Sequence, residues 1–462
     1  MVVSSTSRLL AGVELMAHLF RRAGFGATRE EIEAALDLGY EAAVEGLLHP
    51  DRKPDVELDL VYRFWPDMKE AREIDVNQAF WLYRMINTHR PLQEKMALFW
   101  HSLFATAFNK SNHPQQLQIQ IDMLRQHCLG NFRTILVELS RDPAMIFWLD
   151  NQENTNDVHN ENYGRELLEL FSMGIGNYTE DDVKECARAF TGWSIKNLLN
   201  VGPFGRHVWE FDFKADQHDF GEKQFLGERG PFDGTDIIDI VVRQPATARF
   251  IARRLYLFFV SDQPDEDAID ELARVYQQSG HDIRAVMRAL LLSDFFKSED
   301  ALYAKVKSPA EHVAGLMRLT GDFRFPAWGI KDVALEFRYM GQDLMNPPSV
   351  EGWHTGKEWI DTGILVERVN FASAQVGDAS RPGIRRIIER LRQRGVLSPS
   401  QLVDAAFDLL GPIRPTARTR AALTAHAEKA GPLDLANGGA AAEQRVTEML
   451  QMVVATREFQ WV

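Results

Sequence analysis

The polar stretch at residues 160–171 carries the strongest candidate chemistry in the sequence. Asn162, Glu166 and Glu169 are spaced so that they line one stripe of an α-helix, with apolar residues on the other face. Two carboxylates one turn apart can act as acid and base when burial separates their pKa values, and they can also bind a metal. Arg165 lies one turn before Glu169 and can pair with it. The open alternative is the solvated face of an amphipathic helix.

Two histidine-containing segments could supply further catalytic groups. Glu94 and His101 are seven residues apart on the helix predicted after Pro91, so they share one face. His101 can serve as a metal ligand or general base, or it can be a satisfied core histidine. The pair His218-Asp219 lies in a polar loop and can supply a base or a ligand. The alternative for that loop is a turn in which Asp219 accepts from backbone amides.

Tryptophans beside glycines suggest a substrate wall. Trp193 follows Thr191-Gly192, Trp353 follows Gly352, and Trp359 is close behind. Glycine allows close backbone approach, and an indole face can stack on a sugar ring. Ordinary packing at helix–loop corners is the competing interpretation.

Composition limits the classes of partner. The chain has 462 residues and a formal net charge of −14, which disfavours broad nucleic-acid binding. The basic stretch at 381–394 is typical of an amphipathic helix, or of a local anion or partner patch. No apolar run is long enough for a membrane span. The N-terminal residues lack a basic segment before a clean apolar one, and Glu14 interrupts them. A cytoplasmic protein is therefore expected from these residues, or an exported one if a signal is missing.

Familiar sequence signatures of several enzyme classes are absent. The chain has no G-x-S-x-G, H-E-x-x-H, P-loop or Rossmann glycine pattern, which disfavours common serine hydrolases, zincins and nucleotide-binding enzymes. Its two cysteines, Cys128 and Cys186, are in no metal or redox spacing. Buried free thiols are expected, although the sequence leaves pairing open.

Helical signals dominate the whole chain and predict a mostly α fold, a multi-helix body with a small β-hairpin insertion. Helix starts are indicated at Thr28, at Thr179 and at Ser308-Pro309. Two alternating runs, 208–213 and 223–226, predict the hairpin at about 207–227. We expect a main helical domain at 1–383. The C-terminal helical region at 384–462 packs on it or forms a small subdomain.

Several motifs in a fixed order resemble a large bacterial family. They are His18–Gly26, Phe99-Trp-His101, Asn160–Phe171, Gly176–Glu180 leading to Ala189–Trp193, the His218-Asp219 loop, Asn346–Trp353 and Arg457–Gln460. Together they resemble the family catalogued as domain of unknown function 1800 (DUF1800), over nearly the whole chain. The resemblance implies a helical fold without an established activity.

The same resemblance suggests where the protein works. Members of the family it resembles are frequently exported and encoded near a sulfatase-like family, which points to extracellular or polysaccharide-related work. The family helix often has the pattern Phe-Trp-His-x-His, whereas Leu103 stands at the second histidine position here. A metal site that needs both histidines would therefore lack one ligand. The Asn160–Phe171 pattern is shared with the family, which favours a functional or buried-network role for that helix.

Three hypotheses follow for the function. The first is a hydrolase of a glycan or related polymer that uses paired carboxylates. The second is an enzyme with a divalent metal held by His and Glu residues between helices. The third is a non-catalytic helical scaffold with a buried polar network. The candidate catalytic residues are Glu166, Glu169, His101, His218 and Asp219, and the candidate residues for binding a small-molecule or polysaccharide substrate are Asn162, Arg165, Trp193 and Trp353.

Overall fold

The computed structural model describes residues 8–196, 198, 201–202 and 205–462, and helices dominate them. The first helices are α1 (Gly12–Arg22), α2 (Arg29–Leu38), α3 (Tyr40–Leu48), α4 (Asp59–Phe64), α5 (Pro66–Glu70), α6 (Ile74–Asn87), α7 (Pro91–Leu103), α8 (Phe108–Ser111), α9 (Pro114–His127), α10 (Phe132–Arg141), α11 (Pro143–Trp148), α12 (Asn162–Glu166) and α13 (Glu180–Ala189). A π-helical segment, Leu167–Ser172, continues directly from α12.

The second half of the chain is helical as well. Its helices are α14 (Gly234–Val242), α15 (Pro245–Phe259), α16 (Glu266–Gln278), α17 (Ile283–Leu292), α18 (Asp294–Lys297), α19 (Pro309–Thr320), α20 (Ile330–Tyr339), α21 (Thr362–Gly377), α22 (Pro382–Gln393), α23 (Pro399–Leu409), α24 (Ala417–Glu428), α25 (Gly439–Val454) and α26 (Arg457–Gln460). Short 3₁₀ turns lie at Pro50–Arg52, Asn151–Glu153, Ala215–Gln217, Glu299–Ala301 and Gly356–Ile360. The predicted mostly α fold is confirmed.

Local capping explains why several helices begin where the sequence predicted. Thr28, Thr179 and Ser308 each accept a hydrogen bond from the third helical residue, whose side chain accepts from the cap residue in return. This exchange satisfies backbone N–H groups that have no partner within the helix. At α19 a proline also occupies the first helical position, where its missing N–H costs nothing.

The β insertion is present, but its strands pair differently from the predicted hairpin. The strands are β1 (Trp193–Lys196), β2 (Val201–Gly202), β3 (Gly205–Arg206), β4 (Glu210–Phe213), β5 (Lys223–Phe225) and β6 (Glu228–Gly230). The two predicted runs become β4 and β5, which do not pair with each other: β4 pairs antiparallel with β1, and β5 with β6. The cause is long-range, because Gly192 turns with φ +75° and its carbonyl accepts from the Lys214 amide at 2.9 Å. This contact brings β1 alongside β4.

Two helices, α6 and α7, lie at the centre of the core. On α6 every residue from Val76 to Ile86 is buried, and on α7 ten residues are buried, including Glu94, Lys95 and His101. Both helices contact α9, and α6 also contacts α19 and α20. Charged groups in such an interior must be paired to be tolerated.

A buried ion cluster around Glu94 joins three of these helices. Its carboxylate accepts from Trp81 Nε1 at 3.1 Å and Arg84 Nε at 2.9 Å on α6, and from Arg125 Nε at 2.8 Å on α9. Burial by itself would raise the pKa of Glu94, but Arg125 and Arg84 more than offset that effect and hold the pKa below its usual value. Glu94 therefore remains charged and fixes α6, α7 and α9 against one another.

The next residue of α7 makes a second buried pair. Lys95 bonds to Glu311 of α19, and its Nζ also donates to the carbonyl of Gly24 at 3.0 Å. Successive residues on one helix point in different directions, so Glu94 and Lys95 attach α7 to opposite parts of the molecule.

The C-terminal helices pack on the remainder. A Cβ on Gly383 would lie 1.9 Å from the carbonyl oxygen of Leu319, so α22 approaches α19 backbone to backbone. The basic stretch forms α22, whose apolar face is buried. Its Arg390 pairs with Glu30 and Glu33, as expected for a solvated amphipathic face. The division at residue 383 stays a prediction.

Cys128 and Cys186 are free thiols in the core. Burial raises the pKa of both, that of Cys128 to about 12. Buried free thiols, the sequence-based expectation, are confirmed. In the part of the chain that the structure describes, no helix is both long and apolar enough to cross a membrane.

We expect Glu94→Ala to be strongly destabilising, by about 3–5 kcal/mol, because it leaves Arg84 and Arg125 buried without their carboxylate. Urea unfolding followed by circular dichroism measures this loss. Asp59→Ala, which removes an exposed carboxylate paired with Arg63, is the control and should unfold close to the wild type. Equal stability of the two variants would contradict a central role for the Glu94 cluster.

Candidate functional site

The predicted polar helix changes its winding in the middle. It is α-helical from Asn162 to Glu166 and π-helical from Leu167 to Ser172, and the Met173 amide closes the segment with a bond to Leu168 O at 2.9 Å. A π segment is rare and costly, and is frequently found at functional sites. It begins directly after Glu166 and contains Glu169, so the widened turn influences how far apart the two candidate carboxylates lie.

Tight packing on one side fixes which face of this helix is open. Tyr163, Leu167 and Phe171 are buried. A Cβ on Gly164 would lie 3.1 Å from the Ala187 amide nitrogen, so α12 and α13 approach closely. The Tyr163 hydroxyl also bonds to Ser140 of α10. The polar residues are thereby held on the opposite face.

Glu166 and Glu169 lie half-buried on that face. Burial raises the pKa of Glu166, and the negative charges of Glu169 and Glu351 raise it further, with a partial offset from Arg165. The Tyr178 hydroxyl donates to Glu169 at 3.0 Å. Glu166 therefore retains its proton to a higher pH than an ordinary glutamate.

Arg165 and Asn162 lie at the outer edge of this group. The sequence predicted a pair between Arg165 and Glu169. In the structure Arg165 pairs instead with Glu180 at 2.7 Å and with Glu161 at 3.2 Å. Those two carboxylates flank the arginine, whereas Glu169 accepts a hydrogen bond from the Tyr178 hydroxyl. Asn162 is exposed, and its backbone N–H donates to the side-chain oxygen of Asn160.

Glu351, whose charge acts on Glu166, lines a cleft of about 130 Å³. The cleft is lined by residues of α7, α15, the start of α19 and the loop at 351–359, among them Phe99, Arg254, Lys305, Glu351, Trp353 and Trp359. Arg254 lies over the ring of Phe250 at 5.0 Å, and a Cβ on Gly174, just past the π segment, would touch that same ring at 3.3 Å. Phe250 therefore connects the cleft to the end of the polar helix.

The 346–353 loop lies directly against α7. Gly352 has φ +90°, and a Cβ there would lie 2.5 Å from Ser102 O, so only glycine fits. This close approach brings the Trp353 ring to 5.2 Å from the His101 ring, edge to face. Trp353 then forms part of the cleft wall.

His101 lies behind that wall and is completely buried. Its Nε2 accepts from the Met345 amide at 3.0 Å, and its ring also packs on Trp81 at 5.7 Å. Burial lowers the pKa of His101 to about 3. The imidazole is therefore neutral and supports the loop that carries Trp353. Leu103, two residues on, lines the cleft.

The His218-Asp219 loop forms a separate group with α13. His218 is buried and its Nδ1 is 2.7 Å from Thr191 O. Asp219 pairs with Arg188 at 2.7 Å. Burial would raise the pKa of Asp219, but Arg188 and the Gly221 amide hold it below its usual value. Within the described ranges, no hydrogen bond or ion pair joins this loop to Glu166.

Trp193 belongs to this second group. Its ring packs against Phe190 at 5.1 Å and Phe211 at 5.2 Å, and Arg141 lies over it at 5.6 Å. Trp353 and Glu351 thus line one cleft, and the charge of Glu351 acts on Glu166. Glu166 and Glu169 do not line that cleft themselves, and Trp193, His218 and Asp219 lie together elsewhere.

No group of three or more His, Cys, Asp or Glu side chains with the arrangement of a metal site occurs among the residues that the structure describes. The histidines singled out from the sequence are instead engaged by backbone groups, His101 by Met345 and His218 by Thr191.

Sequence reasoning missed Glu351 and Arg254. Glu351 lies inside the Asn346–Trp353 motif, so its type and position were available, but only the tryptophan was selected. Arg254 lies on α15, where three arginines are interspersed among apolar residues, and nothing in that pattern distinguishes it from the other two. Both reach the site through contacts between distant segments.

Comparison with known proteins identifies the family. The model of a protein family of unknown function, DUF1800, matches residues 18–461. The chain belongs to this family. No curated protein and no solved structure matches it. The family is described as one of unknown function.

The pKa of Glu166 offers a direct test of the carboxylate cluster. Because its folded-state pKa lies above the ordinary 4.5, the folded state loses stability as the pH rises from 4.5 through the raised pKa. Glu351→Gln removes one neighbouring negative charge and should lower the pKa of Glu166 and reduce that loss. Carboxyl ¹³C NMR titration, with the resonance assigned from Glu166→Gln, measures the shift.

The matched control for this titration is Glu358→Gln, a second exposed glutamate of the same loop. It should leave the titration midpoint of Glu166 unchanged, because its charge is not among those that shift this pKa. Equal midpoints in the wild type and Glu351→Gln would contradict the coupling.

Proposed function

We propose that this DUF1800 protein is a hydrolase of a glycan or a related polymer, with its reaction centre at Glu166, Glu169 and Glu351. One observation carries the proposal: Glu351 lines the cleft, and its charge helps to raise the pKa of Glu166. Perturbed carboxyl groups beside a cleft are typical of catalytic acids.

The carboxylates divide the chemistry between them. Glu166, with its raised pKa, is the general acid that protonates the leaving oxygen of a glycosidic bond. Glu169 or Glu351 acts as the base that activates water or as the nucleophile. Tyr178 orients Glu169 through its hydroxyl, so the two neighbouring carboxylates are not equivalent.

The cleft walls fit a sugar polymer. Trp353 and Trp359 line the cleft with the exposed part of their indoles, 8% and 6%, which is the surface that a sugar ring would contact. Arg254 provides a cation for a carboxylate or sulfate group on the polymer. Acidic as well as neutral polysaccharides therefore belong among the trial substrates.

A purely structural role for the polar helix makes a different prediction. It requires Glu166 to be a bonded member of a buried network, so that Glu166→Ala leaves partners unsatisfied and unfolds the protein. Glu166 is only half-buried, and no hydrogen bond or ion pair to another described residue holds it. We therefore expect Glu166→Ala to melt near the wild-type temperature, as measured by differential scanning calorimetry.

Glu166→Gln should abolish hydrolysis while the fold is retained, because the amide cannot donate the catalytic proton. Release of reducing ends from neutral and acidic polysaccharides is the assay, and we expect a loss of roughly 10²–10⁴-fold, the usual contribution of a general acid. The control is Glu161→Gln on the same segment, which pairs with Arg165 outside the cleft.

Two results would overturn the proposal. One is an active wild type whose Glu166→Gln variant keeps full activity. The other is equal loss in Glu161→Gln, which would point to a general effect of altering this segment. A wild-type pH–rate profile whose basic limb coincides with the titration midpoint of Glu166 would support the assignment of Glu166 as acid.

A further inference from the structure

A second cavity, of about 70 Å³, lies where the N-terminal and C-terminal segments meet. It is built from α1 and the turn after it, α19, the turn at 410–413 and α26. Two motifs that resemble the family, His18–Gly26 and Arg457–Gln460, both contribute to it. The proposed hydrolytic site uses neither motif.

Arg21 presents a free edge of its guanidinium group here. Its Nη1 donates to Gly411 O at 2.5 Å and to Pro412 O at 3.3 Å. Its Nε and Nη2 are buried and have no hydrogen-bond partner among the described residues. These two N–H groups lie on the same side of the guanidinium, the side that binds a carboxylate through two parallel hydrogen bonds.

Lys307 adds an amine to the same cavity. Its Nζ donates to Phe459 O at 2.6 Å and lies 4.1 Å from the centre of that ring. Burial lowers the pKa of Lys307 to about 7, and the positive charges of Arg21 and Arg368 contribute. Arg21 and Lys307 are thus close enough to repel each other.

No carboxylate forms an ion pair with Arg21 or Lys307 among the described residues, although the charge of Glu14 acts to raise the pKa of Arg21 and that of Glu311 acts to raise the pKa of Lys307. Glu311 is engaged by Lys95 of α7. Within the described residues, no ion pair joins Glu458 to Arg21 or Lys307, although Glu458 also lines the cavity. A buried charged group whose N–H groups lack direct partners is costly, so an anion that bonds to the free edge of Arg21 would offset part of that cost.

The remaining walls are mainly apolar. They include Phe25, Ile32, Leu316, Leu319, Leu410 and Ile413. A few convergent polar groups in an otherwise apolar cavity are typical of small-molecule sites. We propose that this cavity binds a small organic carboxylate, with its carboxylate on the free edge of Arg21 and beside Lys307, and its apolar body against these walls. This site is independent of the proposed hydrolase chemistry.

Thermal unfolding of the full chain with benzoate and with benzamide tests the proposal. Benzoate should raise the melting temperature, whereas benzamide, which has the same shape without the charge, should not. Arg21→Gln and Lys307→Met should each weaken benzoate binding by about tenfold to hundredfold, the range for hydrogen bonds to charged groups. The control Arg420→Gln, which removes an exposed arginine paired with Asp404, should bind like the wild type.

Several outcomes would overturn the proposal. They are no benzoate shift in the wild type, an equal shift with benzamide, or a full benzoate shift in both Arg21→Gln and Lys307→Met. The same thermal unfolding is also measured with inorganic phosphate at matched ionic strength. Stabilisation by phosphate equal to that by benzoate would show an oxyanion site and reject the apolar part of the proposal.

A crystal soaked in 4-iodobenzoate keeps the test decisive if Arg21→Gln does not fold. Anomalous signal from iodine within the cavity, with the carboxylate on Arg21, would support the proposal. Iodine found only at other positions would reject it.

Discussion

The buried carboxylate of Glu94 determines how the centre of this protein is assembled. Its bonds to Trp81, Arg84 and Arg125 hold α6, α7 and α9 at fixed positions, because none of the charges can leave without exposing another to an apolar interior. Lys95 then ties the same helix to α19 through Glu311. The rigid helix α7 that results also supplies Phe99 and Leu103 to the cleft.

The rigid helix α7 affects the candidate reaction centre indirectly, through the loop that packs against it. His101 on α7 accepts from the Met345 amide and packs against Trp353, and Gly352 allows the loop to touch the backbone of α7. These contacts place Glu351 where its charge reaches Glu166. The site is therefore assembled from three distant segments, and its electrostatics are a property of the assembly.

The histidines show how residue type alone can mislead. A histidine beside tryptophan on an apolar helix, or beside aspartate in a loop, has the chemistry of a base or ligand. In the folded protein His101 is neutral and buried, and His218 lies against Thr191 and between the rings of Phe213 and Phe220. Their roles in catalysis stay predictions. In the structure, His101 contacts the Met345 amide and His218 contacts the Thr191 carbonyl.

The sequence by itself determined the helical class, the starts of α2, α13 and α19, and the family, because caps and helical periodicity depend on residues only three or four positions apart. It also located the polar helix and two of its carboxylates. Only the tertiary structure decided that β4 pairs with β1, that the helix widens into a π segment, and that Glu351 and Arg254 reach the cleft. The physical reason is that these features depend on residues far apart in the chain. Strand pairing requires contacts between distant segments, and pKa shifts depend on burial and on charges that such contacts bring close, which no local pattern encodes.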